Sequence, residues 1–516
     1  MTWDNSAITI STFLPVVGAL VIALVPREKE QVVRALGIVF TGAALVVAIM
    51  IAVGFDYGAG TELQFQLDTR WIPAINARYH VGIDGISLPL YLLTFALSFL
   101  CAIYTWRFVP KPGKTKAFLA LMLLLETGMA GTFIAFDLIL FFIFWELVLV
   151  PMYFLIGIWG SENREYASIK FFLYTLFGSV FMLLGFLAMY FSSDIGSGVH
   201  TFDIVALQGF AASGGFSDSF QLVVFAAVGL GFAVKVPMWP FHTWLPDAHT
   251  EAPTVGSVLL AGVMLKMGTY GFIRIALPVL PYGAEKYAPW IGLLAAIAIV
   301  YAALACLAQK DLKRLIAFSS VGHMGFVMLG IATLTTIGIN AALFGMVAHG
   351  IITGMLFFCV GSVYDRYHTR EMADIGGGLM QKLPYLGGVF AFVAIASLGL
   401  PGLAGFWGEV MALLSSFEPA GVLSDAGLTG VFRAFMIAGG IGTILTAGYF
   451  LWMLQRVNMG STPEKWKRES FPDVVAVEWV SWVPLLVAIV AFGLFPRLLF
   501  GVTQEGADAL GRLFGG

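Results

Sequence analysis

The chain has 516 residues, of which 59% are hydrophobic and only 11% charged, against about 25% charged in soluble domains. A soluble protein of this length has no way to bury so much apolar surface, so membrane lipids must be the solvent for most of it. The net charge of −3 and the lack of a basic run leave nothing to track a phosphate backbone, and nucleic acid is excluded as a partner.

A crossing helix needs roughly 20 apolar residues. Such stretches lie near 6–25, 34–54, 84–106, 117–136, 138–159, 168–192, 219–240, 252–273, 288–308, 315–334, 338–364, 384–415, 429–454 and 476–496. The sequence therefore predicts an all-α integral membrane protein of about 14 transmembrane helices, one membrane domain over 1–516. The first charge is Asp4, with no basic segment ahead of it, so the first stretch reads as a retained helix rather than a cleaved signal. Linkers are short and polar except 55–83 and 193–218; the former carries the alternating Phe65-Gln66-Leu67-Asp68, the pattern of a short surface strand. Cys101, Cys306 and Cys359 lie in apolar stretches without C-x-x-C spacing and read as small core side chains.

Lys and Arg in short loops set orientation. With the N-terminus outside, the inner loops carry 19 of the 28 basic residues, in 27–34, 107–116, 164–170, 310–314, 366–382 and 456–468. Seven fall outside, and the remaining two, Lys235 and Lys266, lie within predicted spans. Both termini are thus expected on the periplasmic side of a bacterial inner membrane.

Two spans hold helix breakers: the seventh at Lys235-Val-Pro237-Met-Trp-Pro240, the twelfth at Gly399-Leu-Pro401-Gly402. An interior Pro removes a backbone hydrogen bond, and in lipid the freed carbonyl must find another partner. The breaks are five spans apart. After helices 1–3 (residues 1–114), this spacing fits two five-helix units, 115–275 (helices 4–8) and 288–457 (helices 9–13), each with its fourth helix broken. Five being odd, the second unit is inverted; helix 14 (476–496) follows. Paired interrupted helices are the sequence pointer to an ion site in inverted-repeat transporters.

The chemistry then falls to the few intramembrane ionisable groups. Glu146 lies nine residues into the fifth span, about 13 Å deep. Lys235 flanks the seventh-span break, Lys266 lies in the eighth span, His323 in the tenth, His349 in the eleventh, and Glu409 follows the twelfth-span break. A charge at the bilayer centre costs at least about 2.5–3.5 kcal/mol, so such residues read as functional. A free Lys, at about 10.4, releases no proton near neutrality; desolvation makes release easier and a nearby carboxylate opposes it. A Glu moving relative to a Lys is therefore a switch on proton affinity. Structural readings stand beside this one: Glu146 and Lys235 as a fixed ion pair, Lys266 as a donor to broken-helix carbonyls, the histidines as polar glue. Glu126 is a further candidate by depth, Asp84 and Asp137 read as solvated caps, and His242, Asp247, His249 and Glu251 lack zinc-like spacing.

Four long motifs occur in order: Phe136-Asp-Leu-Ile-Leu-Phe-Phe-Ile-Phe-Trp-Glu146, Lys235-Val-Pro-Met-Trp-Pro-Phe-His-Thr-Trp-Leu-Pro-Asp-Ala-His249, Asp311-Leu-Lys-Arg-Leu-Ile-Ala-Phe-Ser-Ser-Val-Gly-His-Met-Gly325 and Gly399-Leu-Pro-Gly-Leu-Ala-Gly-Phe-Trp-Gly-Glu409. From about 80 to 460 the chain resembles the antiporter-like membrane subunits of respiratory complex I, and among them the M type. Sister L and N types, and related Na⁺/H⁺ antiporter subunits, typically carry Lys where Glu409 stands; the L type also has a C-terminal lateral helix with no counterpart here. The resemblance implies that Glu146 and Lys235 form a charge-modulating pair, that Lys266 passes the proton centrally through His323 and His349, and that Glu409 leads it outward. Glu126 matches no family position. The resemblance also implies L- and N-type neighbours, and places NADH, FMN, iron–sulfur clusters and quinone chemistry on partner subunits, with no cofactor or metal held here. No G-x-G-x-x-G and no cluster-forming cysteine set is present in this sequence. The expected function is proton translocation from cytoplasm to periplasm within an NADH:quinone oxidoreductase. The alternatives are a subunit of a cation/proton antiporter or membrane-bound hydrogenase, and a non-conducting scaffold.

Overall fold

A computed structural model describes residues 3–196 and 198–515. Among the described residues, 13 helices are long and apolar enough to cross a membrane: Ser6–Leu24, Glu30–Gly54, Ser87–Tyr104, Thr115–Ile134, Leu138–Trp159, Arg164–Ser192, Asp218–Lys235, Thr254–Val279, Pro281–Leu307, Leu312–Ala332, Thr336–Tyr367, Thr429–Val457 and Ala476–Leu494. The twelfth predicted stretch completes the set as two shorter helices, Pro384–Ser397 and Ala404–Phe417. Every predicted span is therefore present, in order.

Local chemistry sets where these helices start. Asp137 caps the fifth span, its carboxylate accepting from the N–H groups of Ile139 (2.9 Å) and Leu140 (3.1 Å). Asp311 does the same for the tenth through Lys313 (2.7 Å) and Arg314 (2.9 Å). Such caps satisfy amide groups that lipid cannot.

The interruptions follow the breakers. The seventh span stops at Lys235, just ahead of Pro237, and the chain resumes helix only at Trp244–Glu251. The twelfth stops at Ser397; Gly399 (φ +83°) and Gly402 (φ +93°) then adopt the left-handed region that side chains disfavour. A milder irregularity at Val148 divides the fifth span into Leu138–Leu147 and Leu149–Trp159. Pro151, four residues beyond Leu147, cannot donate to that carbonyl. The eighth span holds two π-helical turns, Leu260–Met264 and Phe272–Ala276, which the apolar pattern did not reveal.

The interior of the bundle is built from the eighth, tenth and eleventh spans, whose apolar windows are 100%, 89% and 94% buried, whereas the second, thirteenth and fourteenth, at 28–33%, face outward. Lys266, His323 and His349 all belong to the interior set.

Outside the spans, the alternating segment forms β1 (Gln64–Ile72), paired antiparallel with β2 (Ala77–Ile83). The 193–218 linker contains the helix Ile204–Ala212, capped by Asp203. A helix not anticipated from the sequence, Arg497–Arg512, packs Leu499, Thr503, Ala507 and Leu510 inward. It reaches the eleventh span through Asn340, which donates to Gln504 Oε1 (2.8 Å), and Glu505 Oε2 accepts from Gly60 N–H (2.6 Å). Its mixed composition hides it from a search for continuous apolar runs.

One expectation needs correction. Asp84 and Asp137 are caps but not solvated ones, being 4% and 0% exposed. Asp137 also accepts from Arg78 N–H of the hairpin (2.9 Å), and Asp84 pairs with Arg274 of the eighth span at 2.6 Å.

Candidate functional site: a buried file of ionisable groups

The π turn at Leu260–Met264 displaces the usual backbone ladder, and the Lys266 ammonium, fully buried one turn later, donates to the Ala261 carbonyl. It also donates to His349 Nδ1 at 2.6 Å. With Nδ1 accepting, the neutral ring carries its proton on Nε2, and that nitrogen is buried without a partner. The His323 ring follows, its centroid 5.7 Å from that of His349. His323 Nδ1 lies 2.8 Å from Glu409 Oε1, and its Nε2 3.1 Å from Ser397 Oγ, at the end of the first twelfth-span segment. A cavity of about 30 Å³ is lined by His323, His349, Thr353, Ser397 and Glu409, enough for one or two water molecules. Lys266, His349, His323 and Glu409 thus form a file from the most buried span to the break in the twelfth.

Close backbone approach makes the file possible. A Cβ on Gly408 would lie 2.7 Å from Gly345 Cα, so two glycines let the eleventh and twelfth spans touch beside Glu409. A Cβ on Gly399 would lie 3.3 Å from Glu409 Oε2, so the break leaves room for the carboxyl.

Glu146 and Lys235 stand apart as a second centre. Lys235 is 1% exposed, its ammonium 5.1 Å from the Trp145 ring centre. Trp145 is held by its indole N–H, which donates to Ser179 Oγ at 3.0 Å. Lys235 Nζ and Glu146 Oε1 have no hydrogen-bond partner, and the two groups form no ion pair. This is not the geometry of a locked ion pair. The eighth span packs on the seventh-span break, where a Cβ on Gly268 would lie 2.8 Å from the Phe232 carbonyl, two residues along from Lys266.

The remaining candidates fall elsewhere. Asp247 pairs with Lys170 at 2.7 Å, Glu251 accepts from Asn163 N–H at 3.1 Å, His249 stacks on Phe357, and His242 packs edge-on against Tyr301, so these four side chains diverge. At Glu251, outside the spans, burial pushes the carboxyl pKa up against the Asn163 hydrogen bond. Glu126 is buried in the fourth span and joins neither centre. Sequence reasoning missed Ser397, Trp145 and Ser179; the first two sit next to breaker or charged residues, which was the available signal, and Ser179 had none.

With this geometry in hand, comparison with known proteins is decisive. A sequence family described as NADH:quinone oxidoreductase/Mrp antiporter, TM, matches residues 135–433. The chain belongs to this family. It is 40% identical over 508 residues to NADH-quinone oxidoreductase subunit M of Rickettsia bellii, covering 98% of both chains. It is also 40% identical over 512 residues to subunit M of Rhodobacter capsulatus, covering 96% of this chain and 94% of that one. Among solved structures, a chain of respiratory complex I from Thermus thermophilus with bound NADH superposes with TM-score 0.86 at 28% identity, over 99% of this chain and 100% of that one. All six candidate residues fall inside the matched segment, and Glu126 falls outside it.

Proposed function

We propose that this chain is a proton-translocating membrane-arm subunit of an NADH:quinone oxidoreductase, driven by redox chemistry on its partner subunits. The observation that carries the reading is the contact file Lys266–His349–His323–Glu409, buried in the interior spans and ending at a broken helix. In this scheme Glu146 tunes the proton affinity of Lys235, Lys266 takes the proton centrally, the histidines relay it, and Glu409 delivers it outward. The units 115–275 and 288–457 act as inverted repeats, L- and N-type subunits flank the chain, and both termini are periplasmic in a bacterial inner membrane. NADH, FMN, iron–sulfur clusters and quinone belong to the partners.

The deciding experiment is Lys266→Ala in the assembled complex. A coupled machine with one proton path blocked cannot complete its cycle, and sites biased by turnover bias it in return. Quinone reduction and proton pumping should fall together. Assembled complex with wild-type quinone reduction and wild-type protons per electron leaves only the scaffold reading. The family description also covers Mrp antiporters, so a cation/proton antiporter subunit is the second reading. Turnover that needs a sodium gradient and no redox partner would favour it.

A further inference from the structure

Outside both centres, one buried carboxyl among the described residues is left without a hydrogen-bond partner. Glu126, midway along Thr115–Ile134, is 0% exposed, and neither of its oxygens has a hydrogen-bond partner. Among the described residues it forms no ion pair and accepts no hydrogen bond. The groups that do feel it are Tyr91 and Cys101, both on the third span, Ser87–Tyr104. These two are ten residues apart, about 15 Å along a helix, so the carboxyl sits against the stretch between them. That stretch presents Thr94 and Ser98 on the same face, and the Ser98 hydroxyl is buried without a partner, as is that of Thr127 beside Glu126. At the outer end, Tyr91 O–H meets Ser11 Oγ at 2.7 Å and Thr12 Oγ1 at 3.1 Å on the first span. The first and third spans both pack on the fourth, and none of these hydroxyls bonds to the carboxyl between them.

We propose that Glu126 is a further proton-binding site of this chain, carrying its proton as a neutral acid where the third and fourth spans pack. A carboxylate needs a cation or several donors when it leaves water, and Glu126 has neither among the described residues. With neither oxygen accepting a hydrogen bond, a bare carboxylate would be left uncompensated, whereas the neutral acid carries the smaller cost of an unbonded polar group. The site lies off the Glu146 and Glu409 centres and stands whether or not those conduct.

The test uses the intact complex in native lipid. Glu126→Gln replaces the acid with a neutral amide of equal shape and should assemble normally. The infrared spectrum of wild type minus variant should show one protonated-carboxyl C=O band lost. Dicyclohexylcarbodiimide, an apolar reagent that adds across the O–H of a buried acid to give an N-acylurea, should leave its mass on the Glu126 peptide of wild type only. A water-soluble carbodiimide should not. The proposal fails if the difference spectrum lacks that band or shows a carboxylate band instead; it also fails if the water-soluble reagent modifies Glu126. Where the apolar reagent does not react at Glu126, the infrared band decides.

Discussion

At the scale of single residues, the proposed relay depends on side chains that have no substitute partner. Removing Glu409 takes from His323 Nδ1 its acceptor at 2.8 Å, a buried loss of about 1–3 kcal/mol. Glu409→Ala is expected to slow quinone reduction and pumping together, whereas Glu409→Asp, which keeps a titratable carboxyl, retains much of both; reconstituted vesicles measure the two rates side by side. At the other centre, Lys235 leans on Trp145 rather than on a bonded carboxylate. Glu146→Gln should therefore assemble in normal amount and yet impair turnover, because the switch is lost while no contact ion pair is broken. A failure of Glu146→Gln to assemble, seen on native gels, would show that the pair is structural glue after all. The six residues were legible in the sequence because each is costly in lipid. What it did not show was their grouping: four touch in file and two face each other without touching, a fact that depends on spans packing far from one another in the chain. Ser397 carries no such cost, and its nearness to the Gly399 break was the one signal it offered.

Among the elements, the broken helices and their glycine contacts do the positioning. The breaks in the seventh and twelfth spans were legible because Pro and Gly act locally. The π turns of the eighth span were not, as nothing in an apolar run distinguishes a 3.6-residue turn from a wider one. The contact of Gly408 with Gly345 leaves no space for a side chain, so Gly408→Val forces the eleventh and twelfth spans apart, at about 1–3 kcal/mol. Thermal unfolding of the purified complex should drop, and quinone reduction should fall further than it does for an equally destabilising change on the outward-facing second span. A second element-scale device is the clamp between the eleventh and fourteenth spans. Arg366 donates through both terminal nitrogens to the Glu478 carboxylate, at 2.8 and 2.7 Å, with Glu478 0% exposed. Glu478→Ala strands a buried guanidinium, at about 3–5 kcal/mol. The amount of assembled subunit in membranes should drop accordingly, whereas Glu409→Ala should leave it near normal.

Across the whole molecule, the basic loops are tied to one another. Arg34 donates to the Trp106 carbonyl at 2.7 Å, Trp159 Nε1 to that of Gly113 at 2.6 Å, and Arg370 to that of Thr250 at 2.5 Å. Met372 N–H reaches the Lys310 carbonyl at 2.9 Å and Gly378 N–H that of Met459 at 2.8 Å. The opposite end is closed by Gly60 with Glu505, by Asn76 with the His200 carbonyl, and by Ala420 N–H with the Thr333 carbonyl. Loops that the charge count assigns to one side of the membrane thus share one end of the fold, and their orientation is a single choice rather than several. On the Lys and Arg excess, that end is expected in the cytoplasm. Cys101, Cys306 and Cys359 are buried and free, so single cysteines can be introduced against a quiet background. A membrane-impermeant thiol reagent applied outside intact cells should label cysteine placed at exposed Glu62 or Asp425, and should spare Pro112 and Pro463 until the cells are opened. The reverse pattern turns the whole subunit over, and with it the direction of the proton path proposed through Glu409. Labelling at both 112 and 425 from one side would contradict the hydrogen bonds that gather the basic loops, and so the fold itself.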